Sequence, residues 1–250
     1  VMQVKCSQCG ADISVAADQS LLQCQFCDTA LVVDGGGTLF RVVTPPTINA
    51  AGAADHLRRF MAGRKTVAGM DSKARIGSPE LIFFPFWAFR IRTETGERVV
   101  LEPAAPSSLQ GIQGMTLPPG DSREWTEDDG GNAPVIEPEV PLSTARQWME
   151  NRMGAVEIRR TVLYHLPMFR FSYDYEGRSF RAAVDGVSGQ VFPADFPAKA
   201  EAPFIAVAAL AIGVFSIEGL IISNLLLKAI VFTISAAPIL LLSWWISRKV

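Results

Sequence analysis

The chain is poor in the residues that build most catalytic centres. It has 4 cysteines and 2 histidines among 250 residues. So few cysteines exclude a disulfide-dense secreted scaffold. The 2 histidines leave little room for a multi-histidine metal site. Charge is scarce too, at 19% of residues, with a formal net of -2. Without a basic excess the chain lacks the electrostatic footprint of a general nucleic-acid binder. No nucleophile–base pair, glycine-rich phosphate loop or carboxylate dyad stands out. No catalytic residue is therefore assigned, and the reading is non-enzymatic. What the chain does have is apolar surface, 49% of its residues, too much for a chain disordered throughout.

That apolarity is concentrated near the C-terminus. Residues 204–246 carry only two charges, Glu218 and Lys228. As helix they would extend about 65 Å, twice a bilayer core of about 30 Å. The length predicts two spans, about 204–222 and 225–246, turning at Ser223-Asn224. Glu218 and Lys228 then flank the turn, where they snorkel to headgroups or pair; a proton or ion relay is the sharper alternative. Lys199 precedes the pair of spans, Arg248 and Lys249 follow it, and Trp244-Trp245 form an aromatic belt. The positive-inside rule places both ends in the cytoplasm. Residues 1–30 lack the apolar core of a secretory signal. The expected location is the inner (cytoplasmic) membrane, with a cytoplasmic body tethered from behind.

The most specific motif is Cys6-Ser-Gln-Cys9-Gly10 followed by Cys24-Gln-Phe-Cys27-Asp28. Two C-x-x-C pairs at this separation form two knuckles aimed at one ion. Gly10 and Asp28 sit where each knuckle needs a left-handed backbone, which Gly adopts freely and Asp tolerates. Four thiolates close a tetrahedron, so one structural Zn2+ is the expected cofactor. Two disulfides, a redox pair or an iron–sulfur cluster are the competing chemistries. Residues 1–37 hold one basic side chain, Lys5, against Asp12, Asp18, Asp28 and Asp34. Phosphate contacts need Lys and Arg, so this ribbon reads as a protein-docking or folding element.

Between ribbon and membrane, a pattern occurs twice. Residues 38–101 form a first helix–hairpin module. A helix over 47–61, capped by Thr47 or Asn49, precedes a strand over 81–92 and a return over 97–101 after Thr95-Gly96. Residues 143–199 form a second. A helix over 143–152 precedes a strand over 162–173, a turn at Glu176-Gly177 and a return over 178–184. Superposing Pro85 on Pro167 aligns Trp87 with Phe169 and Phe89 with Phe171, which reads as a duplication. The prolines are expected at strand entrances or edges. His56 is expected on a helix surface and His165 in packing. Asp34-Gly35-Gly36-Gly37-Thr38 reads as a flexible boundary. Residues 102–142 form an acidic Pro/Gly-rich loop, with eight acids and only Arg123 as base. Residues 38–101 carry an excess of basic groups, among them Arg58, Arg59, Arg64, Lys65, Lys73 and Arg75. This cluster faces anionic lipid, neutralises the acidic loop, binds an acidic partner or binds nucleic acid; the first two readings are favoured.

The expected architecture is thus α+β: an N-terminal four-Cys zinc ribbon, a duplicated helix–β-hairpin body and, over 200–250, a two-helix transmembrane hairpin. It resembles bacterial membrane-anchored zinc-ribbon (TFIIB-type zinc ribbon) proteins. The matching features are the cysteine spacing, Phe84-Pro85-Phe86-Trp87, Leu117-Pro118-Pro119-Gly120-Asp121, Tyr164-x-x-Pro167 and Val184-Asp185-Gly186-x-Ser188-Gly189-x-Val191. The resemblance spans nearly the whole chain, the cysteine spacing being its specific part. It implies a membrane anchor for PspA-like or SPFH-domain protein partners in envelope stress, with no catalytic residue. The competing reading is a membrane-tethered nucleic-acid-binding protein using the basic cluster over 58–75.

Overall fold

The computed structural model describes residues 2–16, 19–34, 37–94, 96–198 and 202–249. Gly35 and Gly36 of the expected boundary, Thr95 of the expected turn, Asp18 and the flanking Lys199 lie outside the described residues, as do the side chains of Arg248 and Lys249. The chain forms two compact units, residues 1–60 with 71–196, and residues 61–70 with 197–250.

In the first unit, β1 (Met2–Lys5) and β2 (Asp12–Val15) make a two-stranded antiparallel sheet around the first knuckle. The second knuckle lies between β3 (Leu21–Gln23) and β4 (Ala30–Asp34). β5 (Gly37–Val43) pairs antiparallel with β4, Asp34 standing opposite Gly37. The ribbon's second half is thereby an extension of the main sheet, in the order β3-β4-β5-β11-β7-β8-β9.

The helix α1 (Ala50–Met61) begins where Asn49 Oδ1 accepts from Gly52 N at 2.9 Å, so Asn49 is the cap. A short α2 (Met70–Lys73) and β6 (Arg75–Ile76) lead to β7 (Glu80–Thr93), whose return strand is β8 (Gly96–Pro103). The acidic segment carries β9 (Met115–Thr116) and β10 (Arg123–Glu124), and the burial of Trp125 anchors it. Next come α3 (Leu142–Met153), β11 (Glu157–Tyr175), β12 (Arg178–Asp185) and β13 (Val191–Pro193). Glu176 and Gly177 have φ of 49° and 77°, the pair of left-handed residues that a tight hairpin between β11 and β12 requires.

β11 is the spine. Its first half pairs with β7 and, in parallel, with β5; its second half pairs with β12 and β6. Long runs of β7 and β11 are buried without alternation, because both sheet faces are covered. One face gathers Phe84, Phe86, Ala88, Leu101, Tyr164 and Leu166. The other packs Trp87, Phe89, Ile91 and Leu163 against Ala145 and Met149 of α3. The prolines depart from the expected entrances and edges, since Pro85 and Pro167 lie within the two long strands. Each sits one residue beyond the end of its return-strand ladder, which begins at Phe86 and at Met168. A missing N–H therefore interrupts no pair in that ladder. His56 is half-buried rather than a free surface residue, its imidazole filling the space beside Gly189. His165 is packed, with no exposed surface.

In the second unit, Thr66 bridges Ala198 and Val67 N donates to Pro197 O at 3.2 Å. Two helices follow, α4 (Ala202–Ile221) and α5 (Leu225–Lys249). Asn224 Oδ1 accepts from Leu226 N and Leu227 N at 3.0 and 3.2 Å, capping α5 just after the turn. The described residues contain one helix long and apolar enough to cross a membrane, over Leu225–Trp245, with mean hydropathy 2.3 and an unburied surface. The apolar part of α4, Ile205–Ile221, is shorter. Phe215 and Phe232 meet between the two helices at 5.3 Å.

Candidate metal centre

The two knuckles repeat one backbone geometry. Gly10 N donates to Cys6 O at 2.9 Å, and Asp28 N donates to Cys24 O at 2.9 Å. Cys6 N then donates to Ala11 O and Cys24 N to Thr29 O, again at 2.9 Å. The reversal puts Gly10 at φ 76° and Asp28 at φ 60°, the left-handed positions that the C-x-x-C-G and C-x-x-C-D patterns anticipate.

These turns bring the four cysteine sulfurs within 4.8 Å of one another. Cys6 Sγ lies 3.8 Å from Cys27 Sγ, and Cys9 Sγ lies 3.8 Å from Cys24 Sγ. Four sulfurs about 2.3 Å from a central ion form a tetrahedron with edges of about 3.8 Å. The donor set therefore fits a single tetrahedral ion of the zinc type. Each knuckle gives one sulfur to each close pair, so the ion would tie both knuckles together.

Polar neighbours support the sulfurs. Gln8 N and Cys9 N point at Cys6 Sγ from 3.4 and 3.5 Å. The Thr29 hydroxyl lies 3.4 Å from Cys27 Sγ, and it and the Thr29 backbone bring that thiol down to about 7. The Cys9 thiol is pushed up to about 12: the Ala11 amide favours its thiolate but is outweighed by burial and the three neighbouring sulfurs. Four thiols crowded together resist shedding every proton without a cation among them. A small apolar core of Val4, Ile13, Val15, Leu22 and Leu31 lies beneath. Thr38 of β5 donates its hydroxyl proton to Lys5 O at 2.7 Å and accepts from Ser7 N at 2.9 Å, fastening the first knuckle to the main sheet. Thr29 and Thr38 are supports that the cysteine spacing does not reveal.

The six residues of the expected basic cluster are spread over several elements. Arg58 and Arg59 lie on α1, Lys73 on α2 and Arg75 on β6, whereas Arg64 and Lys65 belong to the second compact unit. Arg58 meets Asp55 at 3.6 Å, and among the described residues none of the six pairs with the acidic segment. Arg123 of that segment instead takes Asp129, at 2.7 Å from Nη1 to Oδ2. Glu218 and Lys228 do not pair either. The Glu218 carboxylate accepts from the Ser235 hydroxyl, and Lys228 Nζ donates to Gly219 O at 2.8 Å.

Compared with known proteins, the chain matches no family model, no curated protein and no solved structure.

Proposed function

We propose that the chain is a non-enzymatic adaptor attached to a membrane, in which a structural zinc ribbon and the α+β body dock protein partners. The observation that carries this reading is the pairing of a closed four-thiolate site with an unburied apolar helix over Leu225–Trp245. Four protein ligands leave no open position for substrate, so the ion holds structure rather than reacting. In water so apolar a helix surface would aggregate; in lipid it is satisfied. The reading extends to α4 and α5 as a two-span hairpin with both chain ends in the cytoplasm. It is supported by the aromatic contact between the helices and by the cap at Asn224. PspA-like or SPFH-domain proteins are the partner classes that the sequence resemblance implies.

The body reads as a duplication. Under the superposition of Pro85 on Pro167, Phe84 becomes equivalent to Leu166, and these two residues pair across β7 and β11. The ladder is then symmetric about that pair, with Pro85 opposite His165 and Phe83 opposite Pro167. The helices are exchanged: α1 sets His56 against Gly189 beyond β12, while α3 packs on Val100 of β8.

The test is membrane extraction of the full chain beside its Cys24→Ser variant. The wild type should stay with vesicles through alkaline carbonate and contain about one zinc per chain. The variant should stay in the membrane but lose zinc and partner recruitment. Recovery of the wild type in the carbonate supernatant, or zinc-free wild type, refutes the reading. Salt-sensitive binding to DNA or RNA would favour the nucleic-acid alternative.

A further inference from the structure

On the sheet face opposite α3, an open cleft of about 420 Å³ lies over β5, β11, β7 and β8. Small-molecule sites commonly occupy about 300–1,000 Å³. The floor is apolar, formed by Val42, Ala88 and Val162, and Ser122 and Tyr164 close one end. Arg90 and Arg160 line the other end.

These two arginines stand directly opposite each other in the β7–β11 ladder. The register shifts between Ile158 and Arg160, so Arg159 and Arg160 together oppose Arg90. Glu157 holds Arg159 at 3.1 Å. Among the described residues, Arg90 and Arg160 have no carboxylate within ion-pair distance. Like charges facing across a strand pair destabilise it, because their Cβ atoms are only about 5 Å apart. Such a breach of local pairing is characteristic of functional positions.

The surroundings select the ligand. Arg41 and Arg123 also border the cleft, but Arg41 stacks on Trp125 and Arg123 is held by Asp129. Arg90 and Arg160 are left without an ion pair among the described residues. Arg160 lies over the Phe40 ring at 5.3 Å, which occupies one face of its guanidinium and leaves the N–H edge for an oxyanion. Glu124 is the acidic residue in the lining, and it is far from the pair. It sits on β10 opposite Val42, level with Tyr164, two strands across and four residues along from Arg160. Strand spacing and rise put the two Cα atoms roughly 16 Å apart.

We propose that this cleft binds a phosphate monoester with a short apolar body, the head clasped between Arg90 and Arg160 and the body lying over Val162, Ala88 and Val42. A phosphate monoester carries about -1.5 to -2 at neutral pH and matches two guanidinium groups, whereas a carboxylate matches one. The ester is either a soluble metabolite or a lipid headgroup such as phosphatidate. The site stands independently of the adaptor reading.

The probe is n-hexyl phosphate, titrated calorimetrically into the full chain in non-ionic detergent. Saturable binding is expected, weaker for inorganic phosphate and absent for hexanol. The Arg90→Gln/Arg160→Gln variant should bind at least about tenfold more weakly, while Arg58→Gln/Arg59→Gln binds as the parent does. Because the arginines repel each other, the ligand-free double variant should keep its zinc and match or exceed the parent Tm. No saturable binding by the parent, equal binding by the double variant, or a lowered Tm in that variant overturns the proposal. In nanodiscs, competition by phosphatidate assigns the head to a lipid. Undiminished hexyl phosphate binding assigns a soluble ester, and either result upholds the site.

Discussion

Withdrawing the metal with a chelator should open the first knuckle and the β1–β2 sheet while leaving β4 folded against β5. The asymmetry follows from where each half of the ribbon is anchored. The β1–β2 sheet has four paired positions and, among the described residues, no third strand, and an isolated two-stranded hairpin is marginal in water. β4 is paired with β5, and its Val32 packs against Trp87 and Leu163 in the main core. Structural zinc contributes about 10–16 kcal/mol in small zinc modules. With metal bound, the knuckle amides should therefore exchange only through global opening, at a cost of about 5–15 kcal/mol. Without it, opening the β1–β2 end should cost about 1 kcal/mol or less. At about 1.4 kcal/mol per decade, the difference is a protection loss of at least about 10³-fold. Hydrogen exchange read by mass spectrometry would follow the Cys6 and Gly10 amides of the first knuckle beside those of the β4–β5 ladder. If both sets lose protection equally, the ribbon and the sheet are one cooperative unit and the reasoning fails. If neither changes, no metal holds the site.

Two further predictions concern the body. Arg152 of α3 reaches the fully buried Glu102 of β8, so Arg152→Met should destabilise by about 3–5 kcal/mol in urea unfolding by stranding a buried carboxylate. Adding Glu102→Leu should restore most of that loss, and a single-variant cost below about 1 kcal/mol would contradict the buried pair. Burial, with the Arg41 charge nearby, holds the His165 imidazole down at about 3. The unfolded chain, with a histidine near 6.5, then takes up a proton that the folded chain refuses. His165 should therefore have no effect on stability above about pH 6.5 and should cost about 1.4 kcal/mol per pH unit as pH falls from there toward 3. Urea midpoints of the wild type and His165→Phe should converge in slope above that range and diverge below it; parallel profiles would show that the imidazole is not buried neutral.

Local features were the legible ones. Asn49 and Asn224 cap the helices they precede, and Glu176-Gly177 makes the reversal, because caps and tight turns depend on a few adjacent residues. The pairing of β4 with β5 was less legible, because a run of glycines at Gly35-Gly36-Gly37 gives no sign that Asp34 and Gly37 stand opposite each other. The prolines misled for a related reason: propensity disfavours them inside a strand, but not where a ladder on one edge has just ended. The opposition of Arg90 and Arg160 is not legible in the sequence: Arg159-Arg160 is a visible basic pair, but only strand register sets it against Arg90.

The sequence by itself determined the four-thiolate set, the apolar helix at Leu225–Trp245 and the strand-rich body, since knuckle spacing, hydropathy and strand patterning act over short stretches of chain. Only the tertiary structure decided that β5 joins the ribbon to β11, that α3 packs against Val100 of β8, that His56 of α1 lies beside Gly189, and that two arginines meet over an apolar cleft. Those outcomes depend on pairing register between segments distant in sequence, where shifting one residue exchanges the two faces of a strand.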